Sequence, residues 1–383
     1  MPTGPGLTIA AAMCHPGLFI YIYFKYSVDM NFWGKLPTPF FVSAPLADVT
    51  DAAFRRVIAK YGKPDVMWTE FVAADGLMRA TPEGKAKLMA DLIYSEEERP
   101  IVAQLFSSNE EYMEQAAKLC FELGFDGIDI NMGCPDKSIE KQGCGSAMIK
   151  TPEKAAAIIR AAKRGAQGIP VSVKTRVGYN FDEIDSWIPA LLAEKPAALT
   201  IHARTRKDLS KVPANWEYVV RVVSLRDKLA PTTRIIGNGD VLSLEDARQK
   251  VASSGADGAM IGRALFGNPW FFNTKQRLPM RLHALPTHGV NRDTLFTLDE
   301  GGADSEIISL AQRLLVMVEH TKLFEELLPH KNFAVMKKHY KAYVNGFPGA
   351  AELRQVLMEQ NSALQIEAVV HVFLRQMSEN KVD

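Results

Sequence analysis

The chain has 383 residues, 47% of them hydrophobic and 23% charged, with a formal net charge of +1. That balance excludes a disordered or collagen-like chain and leaves room for one large domain plus a smaller one. Any contact with a polyanion has to come from a local basic surface, because the total charge supplies no long-range attraction. Cysteines at 14, 120, 134 and 144 are too few for a disulfide scaffold and too scattered for paired metal knuckles. A reducing cytoplasm is the expected setting, and no metal centre is expected. The apolar run Gly17 to Phe24 is short for a membrane span and lacks the flanks of a signal peptide, so no stable membrane association is expected. Met30 opens Asn31-Phe32-Trp33-Gly34-Lys35-Leu36, and residues 1–35 read as an N-terminal extension, possible disorder included.

From Phe40 to Trp270, short runs rich in apolar and β-branched residues alternate with longer amphipathic segments, the pattern of repeated βα units. Strands are predicted at Phe40 to Ala44, Val66 to Glu70, Ile101 to Phe106, Gly127 to Met132, Val171 to Arg176, Ala198 to Ala203, Arg234 to Gly239 and Gly258 to Arg263. Helix starts are marked by Thr50 or Asp51, Ser108 or Asn109, Thr151-Pro152-Glu153 and Ser243. Eight units over about 230 residues suit a closed (β/α)8 TIM barrel, placed at residues 36–274. A doubly wound open sheet is the rival; it calls for a Gly-x-Gly-x-x-Gly turn after its first strand, and Ala44-Pro45-Leu46-Ala47-Asp48 has no glycine. Residues 275–305, with their prolines and glycines and no sustained period, read as an inserted loop or linker. Helical spacing returns at Ile307 to Leu328, Phe333 to Val344 and Ala350 to Gln360, so a small helical domain is predicted for residues 306–383.

In such a barrel, chemistry sits where the strands end, and nearly every predicted strand ends in polar residues. In order these are Pro45 to Asp48, Glu70, Gln104, Asn131 to Cys134, Lys174 and Arg176, His202 and Arg204, Asn238 to Asp240, and Gly262-Arg263. Gly237-Asn238-Gly239-Asp240 and Gly262-Arg263 close the last two strands, with a short helix predicted near Asn268-Pro269-Trp270. Glycine backbones, a helix N-terminus and Arg263 together suit a phosphate, at the place where barrel phosphate sites are often built. The alternative is two ordinary tight turns. Lys174 lies in an apolar strand and needs an anionic partner or a shifted pKa, unless it snorkels from the rim. His202 and Arg204 share one side of an extended strand, either as a ligand-binding pair or with His202 a satisfied core residue. Cys134, between Gly133 and Pro135, is placed to act as nucleophile or proton donor, whereas Cys14, Cys120 and Cys144 read as small apolar fillers.

Taken together, Ala44-Pro45-Leu46-Ala47-Asp48-Val49-Thr50-Asp51, Asn131-Met132-Gly133-Cys134-Pro135, Lys174-Thr175-Arg176-Val177-Gly178, His202-Ala203-Arg204-Thr205-Arg206, Gly237-Asn238-Gly239-Asp240 and Met260-Ile261-Gly262-Arg263 resemble the tRNA-dihydrouridine synthase family. The resemblance runs from about Phe40 to Phe272, with a weaker echo in the C-terminal helices. It implies a TIM barrel carrying FMN, reduced by NADPH, and a helical C-terminal domain that helps to hold tRNA. Pro45, Leu46, Ala47, Gln104, Lys174, Asn238, Gly239, Asp240, Gly262 and Arg263 match the family's flavin contacts, with His202 beside them, and Cys134 matches its proton donor. Asn131, Arg176, Arg204 and Arg206 near the mouth, with Lys337, Lys338 and Lys341 in the helical domain, are the expected substrate contacts. A monomer is expected. Leu46 stands where the family usually has methionine and Ser107 where glycine is common; neither removes a group the chemistry needs. Two other readings share much of this pattern: a barrel flavin reductase acting on a small molecule, and a catalytically silent RNA-binding relative.

Overall fold

The computed structural model describes residues 31–277 and 306–379. Residues 1–30, with the apolar run and Cys14, and most of the expected linker lie outside them. Eight strands form one parallel sheet: β1 (Phe40–Ser43), β2 (Met67–Ala73), β3 (Ile101–Phe106), β4 (Gly127–Met132), β5 (Val171–Arg176), β6 (Ala198–His202), β7 (Arg234–Asn238) and β8 (Gly258–Ile261). From β2 to β8 each pairs with its sequence neighbour, and β8 returns to β1 with Phe40 opposite Gly258. The seam between β1 and β2 is closed by a Val42–Val66 bridge, with the Asp65 amide donating to the Phe41 carbonyl at 2.9 Å. The result is the expected TIM barrel.

Around the strands lie α1 (Ala52–Tyr61), α2 (Ala74–Arg79), α3 (Pro82–Ala90), α4 (Glu110–Glu122), α5 (Lys137–Lys141), α6 (Pro152–Gly165), α7 (Ile184–Ala193), α8 (Glu217–Leu229) and α9 (Leu244–Ser254). Local sequence fixes several of their starts. Asp51 accepts the Phe54 amide at 3.0 Å, Asn109 the Tyr112 amide at 3.0 Å and Ser243 the Asp246 amide at 3.0 Å, each satisfying a donor that the first turn cannot. Thr151 holds the cap position of α6 without a side-chain bond, and Pro152 follows at the first turn, where its missing N–H costs nothing. Ala155, Ile158, Ile159 and Ala162 form the buried stripe of α6. At the end of that helix Gly165 lets α4 approach, because a Cβ there would stand 2.0 Å from the Glu114 carbonyl.

A second unit follows: α10 (Leu310–Leu327), α11 (Met336–Tyr343), α12 (Ala350–Glu359) and α13 (Ala363–Glu379). Its core is continuous with one face of the barrel, since Ala53 and Val57 of α1 and Trp270 pack into the cluster that holds Leu314, Met317, Phe324 and Tyr340. Lys60 and Tyr61 on α1 also reach Glu319, at 2.7 and 2.6 Å.

Four details depart from the sequence reading. Phe32 and Trp33, inside the expected extension, are buried, with Trp33 against Phe40 and Trp68; the folded unit therefore begins ahead of residue 36. Strand β2 runs three residues past Glu70, through a register shift between Trp68 and Phe71. No helix forms at Asn268; the short helical turn is Arg263–Leu265 instead. Finally, α13 was not anticipated, although its apolar positions Ile366 and Val370 recur at helical spacing.

Candidate active site

A cavity of about 840 Å³ opens at the C-terminal ends of the strands. All eight strands or the residues just after them contribute to its wall, among them Ala47, Phe71, Gln104, Cys134, Lys174, His202, Asn238 and Arg263. Pro45, Leu46, Asn131, Arg176, Arg204, Gly239, Asp240 and Gly262 line it as well. Arg206, Lys337, Lys338 and Lys341 do not. Glu70 does not either, because the irregularity in β2 brings Phe71 to the cavity in its place.

Cys134 sits in the loop between β4 and α5. The Asn131 side chain accepts both the Gly133 and Cys134 amides, at 3.2 and 3.0 Å, while the Ser146 amide donates to the Cys134 carbonyl at 2.9 Å. From the other side, Arg176 donates to the Gly133 carbonyl at 2.8 Å and to the carbonyls of Thr205 and Leu209 at 3.0 Å. The thiol is thus carried on a loop clamped from three directions. Burial pushes it above the usual cysteine range, so it stays protonated at neutral pH.

Beneath that loop, Gln104 donates to Asp129 at 2.6 Å, and Ser172 donates to the other Asp129 oxygen at 2.6 Å. Burial pushes the Asp129 carboxyl up to about 6, against these bonds. Lys174 on β5 makes no hydrogen bond or ion pair among the described residues, and burial first, then Arg176, pull its ammonium down to about 8. A cation in that condition, lining a cavity, is suited to an anionic ligand.

His202 is held neutral, its pKa well below the usual value through burial and then the fields of Arg176 and Lys174. Arg204 Nη1 lies 3.2 Å from His202 Nε2, and arginine can only donate, so the ring proton belongs on Nδ1. Arg204 also pairs with Asp240, which Arg263 engages through its other oxygen. Burial raises the Asp240 carboxyl, but the Arg204 and Ala214 bonds outweigh it and hold the group below its usual range.

Gly239, at φ 128°, adopts a backbone closed to other residues, and a Cβ there would press on Ala214 at 2.7 Å. The backbone N–H groups of Gly239 and Gly262 find no acceptor among the described residues. Unpaired amides at the ends of β7 and β8, beside Arg263, suit a phosphate, and the lone ammonium of Lys174 suits a second acceptor deeper in the cavity. A phosphorylated cofactor such as FMN fits these residues.

Outside the cavity, Arg206 forks onto Glu140, which accepts from Ser146 at 2.8 Å; the same guanidinium lies 5.1 Å from the Tyr179 ring, which Lys150 also approaches, at 3.6 Å. Arg206 therefore braces the Cys134 loop. Lys338 and Lys341 are exposed on α11, with Lys338 4.0 Å from Asp48 at the edge of the mouth. Sequence reasoning missed Phe71, Glu140 and Ser146. The last two were legible only as ordinary polar residues of a short helix and turn.

Fold and cavity define a TIM-barrel protein with a protonated thiol and a cation-lined ligand site at the strand ends. The chain belongs to the dihydrouridine synthase family, whose model it matches over residues 42–378. It is 36% identical over 351 residues to a probable tRNA-dihydrouridine synthase of Staphylococcus aureus (strain COL), covering 91% of this chain and 98% of that one. To the probable tRNA-dihydrouridine synthase 2 of Bacillus subtilis (strain 168) it is 38% identical over 346 residues, 90% of this chain and 97% of the relative. Among solved structures, morphinone reductase in complex with tetrahydroNAD is similar with a TM-score of 0.45 at 13% identity, over 73% of this chain and 96% of that one. No helix of the described residues is long and apolar enough to cross a membrane.

Proposed function

We propose that this protein reduces uridines in tRNA to 5,6-dihydrouridine, with FMN as its cofactor and NADPH as reductant. The observation that carries the reading is the clamped Cys134 thiol, kept protonated by burial, opening into the cavity that holds Lys174, His202 and the unpaired amides of Gly239 and Gly262. Membership of the dihydrouridine synthase family and the names of the two relatives support it.

When bound, reduced FMN supplies the hydride for uracil C6. Cys134 gives its proton to C5, which requires a thiol rather than a thiolate and accords with burial outweighing the fields of Arg176 and Lys174 at the sulfur. Lys174 would hold the flavin and, as a cation lining the cavity, would favour its negatively charged reduced form. Gln104 binds the flavin ring, neutral His202 offers its Nδ1–H as a donor beside it, and Pro45, Leu46 and Ala47 supply the wall it rests on. The Asn238-Gly239-Asp240 and Gly262-Arg263 turns hold the phosphate. Asn131 and the remaining guanidinium edge of Arg176 meet the uracil; Arg204 orients His202 and Asp240, and Arg206 holds the loop. The uracil leaves its stack to enter.

Residues 306–383 form the tRNA-binding domain, with Lys337, Lys338 and Lys341 facing phosphates. The protein works as a monomer in the cytoplasm, and no membrane takes part.

The test is dihydrouridine content in bulk tRNA lacking the modification, after incubation with the protein, FMN and NADPH. Dihydrouridine should appear. A yellow, NADPH-reducible protein that leaves the tRNA unchanged would overturn the substrate assignment in favour of a small-molecule flavin reductase.

A further inference from the structure

We propose that Glu70 is a positioning residue, a latch through which docking of the helical domain sets the loop between β1 and α1, whose Pro45, Leu46 and Ala47 line the cavity. The proposal rests on the flavin reading only for the ligand used in one of its tests.

Glu70 is turned away from the cavity by the irregularity in β2 and is almost wholly buried, its side chain 7% exposed. One carboxylate oxygen accepts the backbone N–H of Asp48; the other accepts Lys331 Nζ at 2.5 Å. Lys331 follows α10, so a single side chain joins the barrel's first loop to the helical domain. The lysine is itself held by a second carboxylate, Asp91, at 3.1 Å.

Asp48 is a residue that needs holding. Its φ of 53° lies in the left-handed region, which is strained for a non-glycine residue. The helical domain touches it a second time, through Lys338 at 4.0 Å from the Asp48 carboxylate. Behind Asp48 the loop is closed by the Val49 and Thr50 amides donating to the Leu46 carbonyl, at 3.1 and 3.0 Å. Fixing Asp48 therefore fixes the turn that carries Leu46 and Ala47.

The helical domain also grips the barrel where no such link exists. Glu319 binds Lys60 and Tyr61 at the end of α1, away from the loop. It supplies the control: breaking it loosens docking without touching Asp48.

Three variants separate the cases: Glu70→Gln, Lys331→Met and Glu319→Gln. Glu70 serves its two donors through different oxygens; in glutamine one of these becomes an amide nitrogen, which sets donor against donor and breaks one of the two ties. Backbone amide exchange over residues 46–50 is measured on flavin-free protein, and FMN affinity by fluorescence quenching. Glu70→Gln and Lys331→Met should each speed exchange at the loop and weaken FMN roughly tenfold, while Glu319→Gln changes both by less than about twofold. Adding Asp48→Gly to Glu70→Gln should recover most of the affinity, because glycine holds the left-handed backbone unaided. Equal effects in all three variants, or unchanged loop exchange in Glu70→Gln, would overturn the latch. Loop exchange that responds as expected in a protein that binds no FMN would uphold the latch and remove the flavin reading instead.

Discussion

Asn131 Oδ1 accepts the backbone amide of Cys134 at 3.0 Å, and that one bond sets the direction of every side-chain amide beneath the thiol. A backbone N–H can only donate, so the Asn131 oxygen faces the loop and its Nδ2 faces Gln104 Oε1, at 3.2 Å. Gln104 Nε2 is then left for Asp129 at 2.6 Å. Replacing Gln104 with leucine deprives Asp129 and Asn131 of one partner each. A loss of about 2–6 kcal/mol in urea-unfolding free energy is expected, at roughly 1–3 kcal/mol for each of the two orphaned buried groups. An unfolding midpoint equal to that of the native protein would show that the chain does not carry this weight.

Cys134→Ala removes the thiol and nothing that supports the cavity. The variant should bind FMN and accept electrons from NADPH at the native rate, and lose about 10²–10⁴-fold in uridine reduction, the usual worth of a positioned proton donor. Single-turnover formation of dihydrouridine, measured beside the flavin absorbance, separates the two halves of the reaction.

Lys174 makes the flavin-free protein pH-sensitive on the alkaline side. Its folded pKa of about 8 lies below the ordinary lysine value of 10.5. Between those values the unfolded chain binds the extra proton, so the contribution of this group to stability rises with pH, and its penalty is complete below 8. Lys174→Met should therefore be more stable than the native protein at pH 7, by on the order of 3 kcal/mol, with the gap closing towards pH 10.5. Melting curves of both proteins across that range check the sign.

His320 and His339 pack ring to ring, with centroids 4.7 Å apart, between Phe54 of the barrel and the helical domain. None of their ring nitrogens has a hydrogen-bond partner among the described residues. Burial pulls His320 down to about 3 and His339 well below its usual value, so both stay neutral in the fold. Below pH 6.5 the unfolded chain takes up protons that the folded one refuses, and stability falls by about 1.4 kcal/mol per pH unit for each ring. Urea midpoints at pH 7 and pH 5 should diverge strongly for the native protein and much less for a His320→Leu, His339→Leu double variant.

Much of this was readable beforehand, for reasons the residues make clear. β3, β4 and β5 fall where expected because each is a short run that opens with apolar residues at every second position or closer, set behind the breakers Pro100, Gly124 and Pro170, and Asp51, Asn109 and Ser243 cap helices by local chemistry alone. The polar strand ends from Gln104 to Arg263 converge because a parallel barrel puts all its C-terminal ends on one side. Contacts between distant segments were not readable. Arg204 was expected to meet substrate, yet its donors go to His202, Asp240 and the Val212 carbonyl; of these only His202, two residues away on the same strand side, was readable. The pairing of Arg206 with Glu140 was not readable, nor was the placing of Glu70, whose turn away from the cavity depends on an irregularity inside β2 that leaves no mark on alternation.

The seam between β1 and β2 bears on how the chain is made. They precede the other six strands of the barrel, and their mutual pairing is the scantest in it, resting on the bridge at Val42 and Val66 and a few adjoining backbone bonds. The helix that follows β1 buries Ala53 and Val57 in a cluster filled mainly by α10 and its neighbours, which are made after all eight strands. A nascent chain that has completed β8 still exposes that apolar face together with Trp270. Covering that face of the barrel therefore waits for synthesis of residues 310–379, and a chain halted before Leu310 presents a sticky flank for chaperones to cover.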